Sequence, residues 1–234
     1  IAGPGSGKTR TLTHRIAYLI AAKKAWPSQI LALTFTNKAA REMRTRVTDL
    51  VGPDAKGMWM GTFHSVFSRV LRREADKIGF SRDFSIYDTD DQERLLRELM
   101  LRMGVDAKKY TPRSIRGRIS SAKNQMMTPE AYASLANDPY MEVTARVYGP
   151  YNDRLRKANA MDFDDLLGWP IRLFDAHPDV LKEYQRRWRY IHIDEYQDTN
   201  KAQYLLARQL AAEHHNLCVV GDDAQSIYAF RGAD

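Results

Sequence analysis

The stretch Ala2-Gly3-Pro4-Gly5-Ser6-Gly7-Lys8-Thr9 decides how this chain folds. Glycines at positions 3, 5 and 7 let the backbone close around an anion. Successive N–H groups and the start of a following helix can then point at phosphate oxygens. The stretch reads as a phosphate-binding loop of the P-loop type, in which Lys8 reaches the β- and γ-phosphates of ATP and Thr9 ligates Mg²⁺. Ala2 stands where the usual pattern opens with glycine. The competing reading is a glycine-rich turn entering a helix.

Working outward, Leu12, Ile16, Leu19 and Ile20 recur at helical spacing, which predicts a helix from Lys8 to about Lys24, ended by Trp26-Pro27. Ile30 to Phe35 is a short apolar run, as expected of a strand buried on both faces of a parallel sheet. Thr36-Asn37 opens a second helix with Ala40, Met43 and Val47 on its inner face, and Gly52-Pro53 stops it. Met58-Trp59-Met60 reads as a further strand, Gly61-Thr62 as a turn, and Phe63 onward as a helix closed by Gly79. From about Thr89 to Ala160 helix signals dominate, with almost no strand signal. Strands return at Tyr190–Asp194 and Leu217–Val220. The pattern predicts an α/β fold, a parallel sheet flanked by helices with an all-helical inserted domain. Its divisions are 1–88 and 161–234 for the α/β part and 89–160 for the insertion.

A chain of 234 residues with 44% hydrophobic residues can bury a substantial core. No run approaches the roughly 18 apolar residues of a membrane span. Cys218 is the single cysteine, which excludes an intrachain disulfide, and the six histidines lack partner cysteines at zinc spacing. These features fit a reducing, cytoplasmic setting. A net charge of +7 permits an anionic partner such as nucleic acid. The chain starts at the loop without an initiator Met, so the reading expects a fragment lacking the strand that normally feeds a P-loop.

Ile191-His192-Ile193-Asp194-Glu195 is an apolar strand ending in paired acids, which a P-loop enzyme needs opposite its loop. Asp194 suits Mg²⁺, held through its water shell. Glu195 suits the base that orients and deprotonates the water attacking the γ-phosphate. A solvated acidic turn is the alternative.

Asp194-Glu195-Tyr196-Gln197-Asp198-Thr199-Asn200 and the run from Val220 to Asp234 resemble motifs II and III of UvrD/Rep/PcrA-type superfamily 1 DNA helicases. The opening loop serves as motif I, Thr34–Ala40 resembles motif Ia, and Gly61-Thr62-Phe63-His64-Ser65 resembles motif Ib. The resemblance covers essentially the whole chain and implies the first RecA-like domain of a motor moving 3′ to 5′ on single-stranded DNA and unwinding junctions in repair or replication. It implies that Ala2 to Thr9 bind nucleotide, with Gln225 sensing the γ-phosphate. Phe35, Tyr228 and Phe230 would stack on bases without sequence preference. Thr36, Asn37, Thr62 and His64 would contact the sugar-phosphate backbone. A second RecA-like domain is expected beyond Asp234, supplying arginines to the ATP site.

The chain departs from the family at Phe230, where well-known members carry Trp, and at Asp223-Ala224, which leaves the role of a second acid beside the glutamine open. Arg10 has two readings, nucleotide contact or exposed first-turn arginine. Arg231 likewise reads as a coupling residue or a structural ion pair. Without the family, Phe35 reads as core, Tyr228 and Phe230 as half-buried strand residues, and His64 as a core histidine or cap. Lys108, Lys109, Arg113, Arg116, Arg118 and Lys123 suggest a phosphate-facing patch or a solvated helix face. Asp162-Phe163-Asp164-Asp165 suggests a metal site or, more economically, helix N-terminal acids.

Three rival functions stay open: a P-loop phosphotransferase, a non-catalytic DNA-binding module, and the helicase half of a helicase-nuclease.

Overall fold

The structure, a computed structural model, describes residues 7–222. The expectations for Ala2, Gly3, Pro4, Gly5 and Ser6, and for Asp223, Ala224, Gln225, Tyr228, Phe230 and Arg231, lie outside these residues. The chain forms two compact units. One comprises the residues up to Arg69 together with those from Pro170 on, and the other is Val70–Trp169.

In the first unit, α1 (Lys8–Ala21) starts directly after Gly7, whose φ of 85° is a left-handed conformation that suits glycine. Strand β1 (Ile30–Thr34) is buried along its whole length, as the apolar run requires. Thr36 caps α2 (Asn37–Val51) by accepting the Ala39 N–H at 3.1 Å. Strand β2 (Trp59–Thr62) leads straight into α3 (Phe63–Arg73). Gly61 and Thr62 therefore belong to a strand and not to a turn, because they continue the ladder opposite Leu33 and Thr34.

The second unit contains β3 (Ser85–Tyr87), α4 (Thr89–Arg102), α5 (Pro112–Asn124), α6 (Pro129–Ser134), α7 (Pro139–Lys157) and β4 (Ala160–Asp162). The chain then runs through α8 (Asp165–Ala176) and α9 (Pro178–Arg187) to β5 (Tyr190–Ile193), α10 (Lys201–Ala211) and β6 (Leu217–Val219).

The first unit's sheet has the order β2-β1-β5-β6, and every pairing is parallel. Registered partners share a face, so Met60, Ala32, His192 and Cys218 form one row and Trp59, Leu31, Ile191 and Leu217 form a row on the other face. The first row packs with Leu12, Ile16, Leu19 and Ile20 of α1 and Met43 and Val47 of α2. On the other row, Trp59 meets Trp188 edge-on at 5.2 Å, and the Arg69 guanidinium lies 3.9 Å over the Trp59 ring. His192 is buried, and that burial together with the charge of Arg15 pushes its pKa down to about 4.

The second unit buries Leu96, Met100, Ile115, Ile119, Val147, Tyr148, Tyr151 and Leu155 in one cluster. Asp88, Thr111, Thr128 and Asp138 each accept the backbone N–H three residues on and cap α4, α5, α6 and α7. Pro112, Pro129 and Pro139 occupy first helical positions, where a missing N–H costs nothing. Strands β3 and β4 pair in parallel, Ser85 opposite Ala160. At three residues each they are too short to carry an alternation in sequence.

Candidate nucleotide site

Parallel strands deliver their carboxyl ends to one edge of a sheet, where ligands of α/β folds collect. At this edge β5 runs into Asp194-Glu195 and β6 into Val220-Gly221-Asp222. The Asp194 N–H donates to the Leu33 carbonyl at 3.0 Å, and the Val220 N–H donates to the Ile193 carbonyl at 3.0 Å. These bonds carry the ladder one residue past each strand and hold the acids in place.

The start of α1 meets them. Thr9 Oγ1 donates to Asp194 Oδ2 at 2.9 Å, and Lys8 Nζ lies 3.3 Å from Asp222 Oδ2. The Lys8 and Asp222 side chains are 10% and 3% exposed, so their pairing is shielded from water. Asp194 is also buried. Burial raises its carboxyl above the usual range, the Thr9 bond opposes this, and the charge of Glu195 reinforces it. A buried carboxylate beside a hydroxyl is a set of hard oxygens, the donor chemistry that Mg²⁺ prefers. Thr9 and Asp194 therefore fit the expected metal.

Glu195 has φ 53° and ψ 47°, a left-handed conformation seldom adopted by residues other than Gly, Asn and Asp. Gln197 Nε2 donates to Glu195 Oε2 at 2.6 Å, and Gln197 Oε1 accepts the Asp222 N–H at 2.9 Å. Gly221 makes this crossing possible. A Cβ there would sit 2.7 Å from Gln197 Oε1 and 3.1 Å from the Gln197 backbone nitrogen. Sequence reading missed both Gln197 and Asp222 as individual actors, although both lie within the quoted motif strings.

The structure thus brings Lys8, Thr9, Asp194 and Glu195 together. Arg10 is exposed on the first turn of α1. Phe35 is half-buried just past β1, Asn37 is exposed, and Thr36 is exposed with its hydroxyl engaged in the helix cap. His64 is half-buried on α3. Thr62 is buried, and its Oγ1 accepts the Ser65 N–H at 3.2 Å at the start of α3.

Lys123 requires a correction in the second unit. It is buried and does not belong to an exposed basic face, because its Nζ lies 2.7 Å from Asp162 Oδ2 and 2.8 Å from Asp165 Oδ1. Burial pulls its pKa down, but the two aspartates outweigh it and the net shift is upward. Asp162 and Asp165 also cap one another reciprocally at the start of α8, at 3.2 and 2.9 Å, as helix N-terminal acids do. The Lys123 ammonium thereby occupies the position a metal would need. Lys108, Lys109 and Arg113 are exposed, while Arg116 pairs with Glu93 at 3.3 Å.

Among the described residues no helix is long and apolar enough to cross a membrane. The profile of the UvrD/REP helicase N-terminal domain matches residues 1–234. Over all 234 residues the chain is 55% identical to the ATP-dependent DNA helicase PcrA of Bacillus subtilis strain 168. It is 52% identical to the proteins of the same name from Staphylococcus aureus strain Mu50 and Staphylococcus epidermidis. In each case the match covers the whole chain and 32% of the relative's length.

Proposed function

Because this chain belongs to the UvrD/REP helicase family, we propose that it is the ATP- and single-stranded-DNA-binding motor part of an ATP-dependent DNA helicase that moves 3′ to 5′. The relatives are named as ATP-dependent DNA helicases. The observation that carries the reading is the convergence of Thr9 on Asp194 and of Lys8 on Asp222 at the carboxyl edge of the sheet.

In this reading the N–H groups ahead of α1 cradle the phosphates, and Lys8 exchanges part of its contact with Asp222 for the β- and γ-phosphates. Thr9 and Asp194 hold Mg²⁺, which when bound neutralises phosphate charge. Glu195 takes a proton from water as the water oxygen bonds to the γ-phosphorus. The bond from that phosphorus to the bridging oxygen breaks, and ADP leaves with the electron pair. Gln225 senses the γ-phosphate. Phe35, Tyr228 and Phe230 stack on bases, and Thr36, Asn37, Thr62 and His64 contact the sugar-phosphate backbone. A second RecA-like domain in the remaining length of the protein completes the ATP site. The division of the chain into 1–88, 89–160 and 161–234 belongs to the same proposal, as does work at single-strand/duplex junctions in repair or replication.

The test uses the full-length protein. Lys8→Ala should abolish DNA-stimulated ATP hydrolysis, and Glu195→Gln should leave ATP bound but barely hydrolysed. Strand displacement should require a 3′ single-stranded tail. Normal turnover in either variant would sink the site assignment, and a 5′ tail requirement would reverse the polarity.

A further inference from the structure

We propose that Gln197 is a positioning residue for ATP hydrolysis, one that sets the carboxylate of Glu195 and ties it to the peptide bearing Asp222, the partner of Lys8. The inference rests on the reading of Glu195 as the base. Its structural grounds are separate from that reading.

A glutamate side chain has three rotatable bonds, and holding one rotamer costs conformational entropy. Glu195 also sits on a left-handed backbone, with φ 53°. Two local contacts hold the position. The Glu195 N–H donates to Asp194 Oδ1 at 3.1 Å, and Gln197 Nε2 donates to Glu195 Oε2 at 2.6 Å. The second is a short bond to a charged acceptor, the stronger class of hydrogen bond. It engages Oε2 and leaves Oε1 as the proton acceptor.

The other end of the same amide is equally committed. Gln197 Oε1 accepts the Asp222 N–H at 2.9 Å, which fixes which end of the amide is oxygen and so directs the NH₂ towards Glu195. The segment carrying Asp222 cannot retreat, because the Tyr196 N–H donates to the Val220 carbonyl at 2.9 Å. A Cβ on Gly221 would overlap Gln197. Gln197 is therefore clamped between the residue proposed to take the proton and the residue that holds Lys8. Its amide supplies a donor on one side and an acceptor on the other, a combination no ionised carboxylate provides.

The experiment is a double-mutant cycle on the full-length enzyme with single-stranded DNA, following ATP hydrolysis under single-turnover and steady-state conditions alongside binding of a fluorescent ATP analogue. Gln197→Ala should lower kcat by about ten- to a hundredfold, with nucleotide Kd within about twofold of the parent. Gln197→Glu keeps the acceptor and removes the donor, and should lose at least as much. The decisive reading is non-additivity: Glu195→Gln combined with Gln197→Ala should be no slower than Glu195→Gln alone, because a residue acting through Glu195 has nothing left to position. A parental kcat in Gln197→Ala overturns the proposal, as does a loss that multiplies in the double variant or a Kd that weakens in step with kcat. If Gln197→Ala does not fold, Gln197→Glu serves in the same cycle. Normal turnover by Glu195→Gln overturns the base assignment and this proposal together. A dead Glu195→Gln beside a parental Gln197→Ala overturns only the positioning role.

Discussion

Thr9 and Asp194 stand 185 residues apart in sequence, yet the hydroxyl of one donates to the carboxylate of the other at 2.9 Å. This bond joins the first turn of α1 to the end of β5 and supplies a donor to a buried acid. Thr9→Val keeps the shape and removes the donor. Loss of a hydrogen bond to a charged group costs about 1.5–3 kcal/mol, so hydrolysis by the full-length enzyme should fall roughly 10- to 100-fold. The Mg²⁺ concentration for half-maximal rate should rise. Thr9→Ser, which restores the hydroxyl, should recover most of both, and a Mg²⁺ titration of the three proteins checks this.

Lys123→Met tests the buried charge cluster of the second unit. It leaves Asp162 and Asp165 without their cation, and breaking one side of a buried pair typically costs about 3–5 kcal/mol. Hydrogen exchange should quicken in α5 and at the start of α8. Changing Asp162 and Asp165 to Asn in the same chain should recover a large part of the loss. Failure of that recovery would assign the cost to packing of the lysine stem.

Acidification should act on this cluster in an unusual direction. Burial, then the charge of Asp162, pushes Asp164 up to about 7 and Asp165 up to about 6. Between pH 4 and 7 the folded cluster thus binds more protons than the unfolded chain, so its contribution to stability is full below about pH 4 and is lost as pH rises towards 7. Asp164→Asn should flatten the slope and should gain most, relative to the parent, at pH 8. Hydrogen exchange of peptides spanning Asp162–Asp165, measured across that range, reads it directly.

His192 predicts the opposite sign in the first unit. Its pKa is pushed down to about 4, so as pH falls below about 6.5 the unfolded chain takes up a proton that the folded sheet refuses. Stability present above that point is lost progressively down to pH 4, on the order of 3 kcal/mol. His192→Leu, apolar and of similar size, should remove this acid sensitivity, measured as urea midpoints at pH 7 and pH 5.

Much of the fold was legible from local chemistry. The apolar run Ile30–Phe35 announced a doubly buried strand, and the Thr-Pro pairs at 111–112 and 128–129 announced helix starts. The approach of Thr9 to Asp194 was expected from the sequence, because a phosphate-binding loop calls for an acid at the end of a neighbouring strand. What escaped depends on approach between distant segments. Lys123 looked like surface charge because nothing in its neighbourhood in sequence reveals Asp162. Gln197 gains its role from a crossing with Gly221 that no spacing encodes. Gly61 and Thr62 looked like a turn, and their place in a strand appears only once β2 pairs with β1.

Strands β3 and β4 have a consequence for how this protein can vary. They pair side by side in the same direction, with four helices strung between them. Had they been antiparallel, a two-residue hairpin could replace everything in between. Parallel neighbours require a crossover of about a dozen residues or more, usually a helix. The excursion from Tyr87 to Ala160 can therefore be shortened by deletion only so far, and a homologue that trims it below one crossover must surrender the ladder as well.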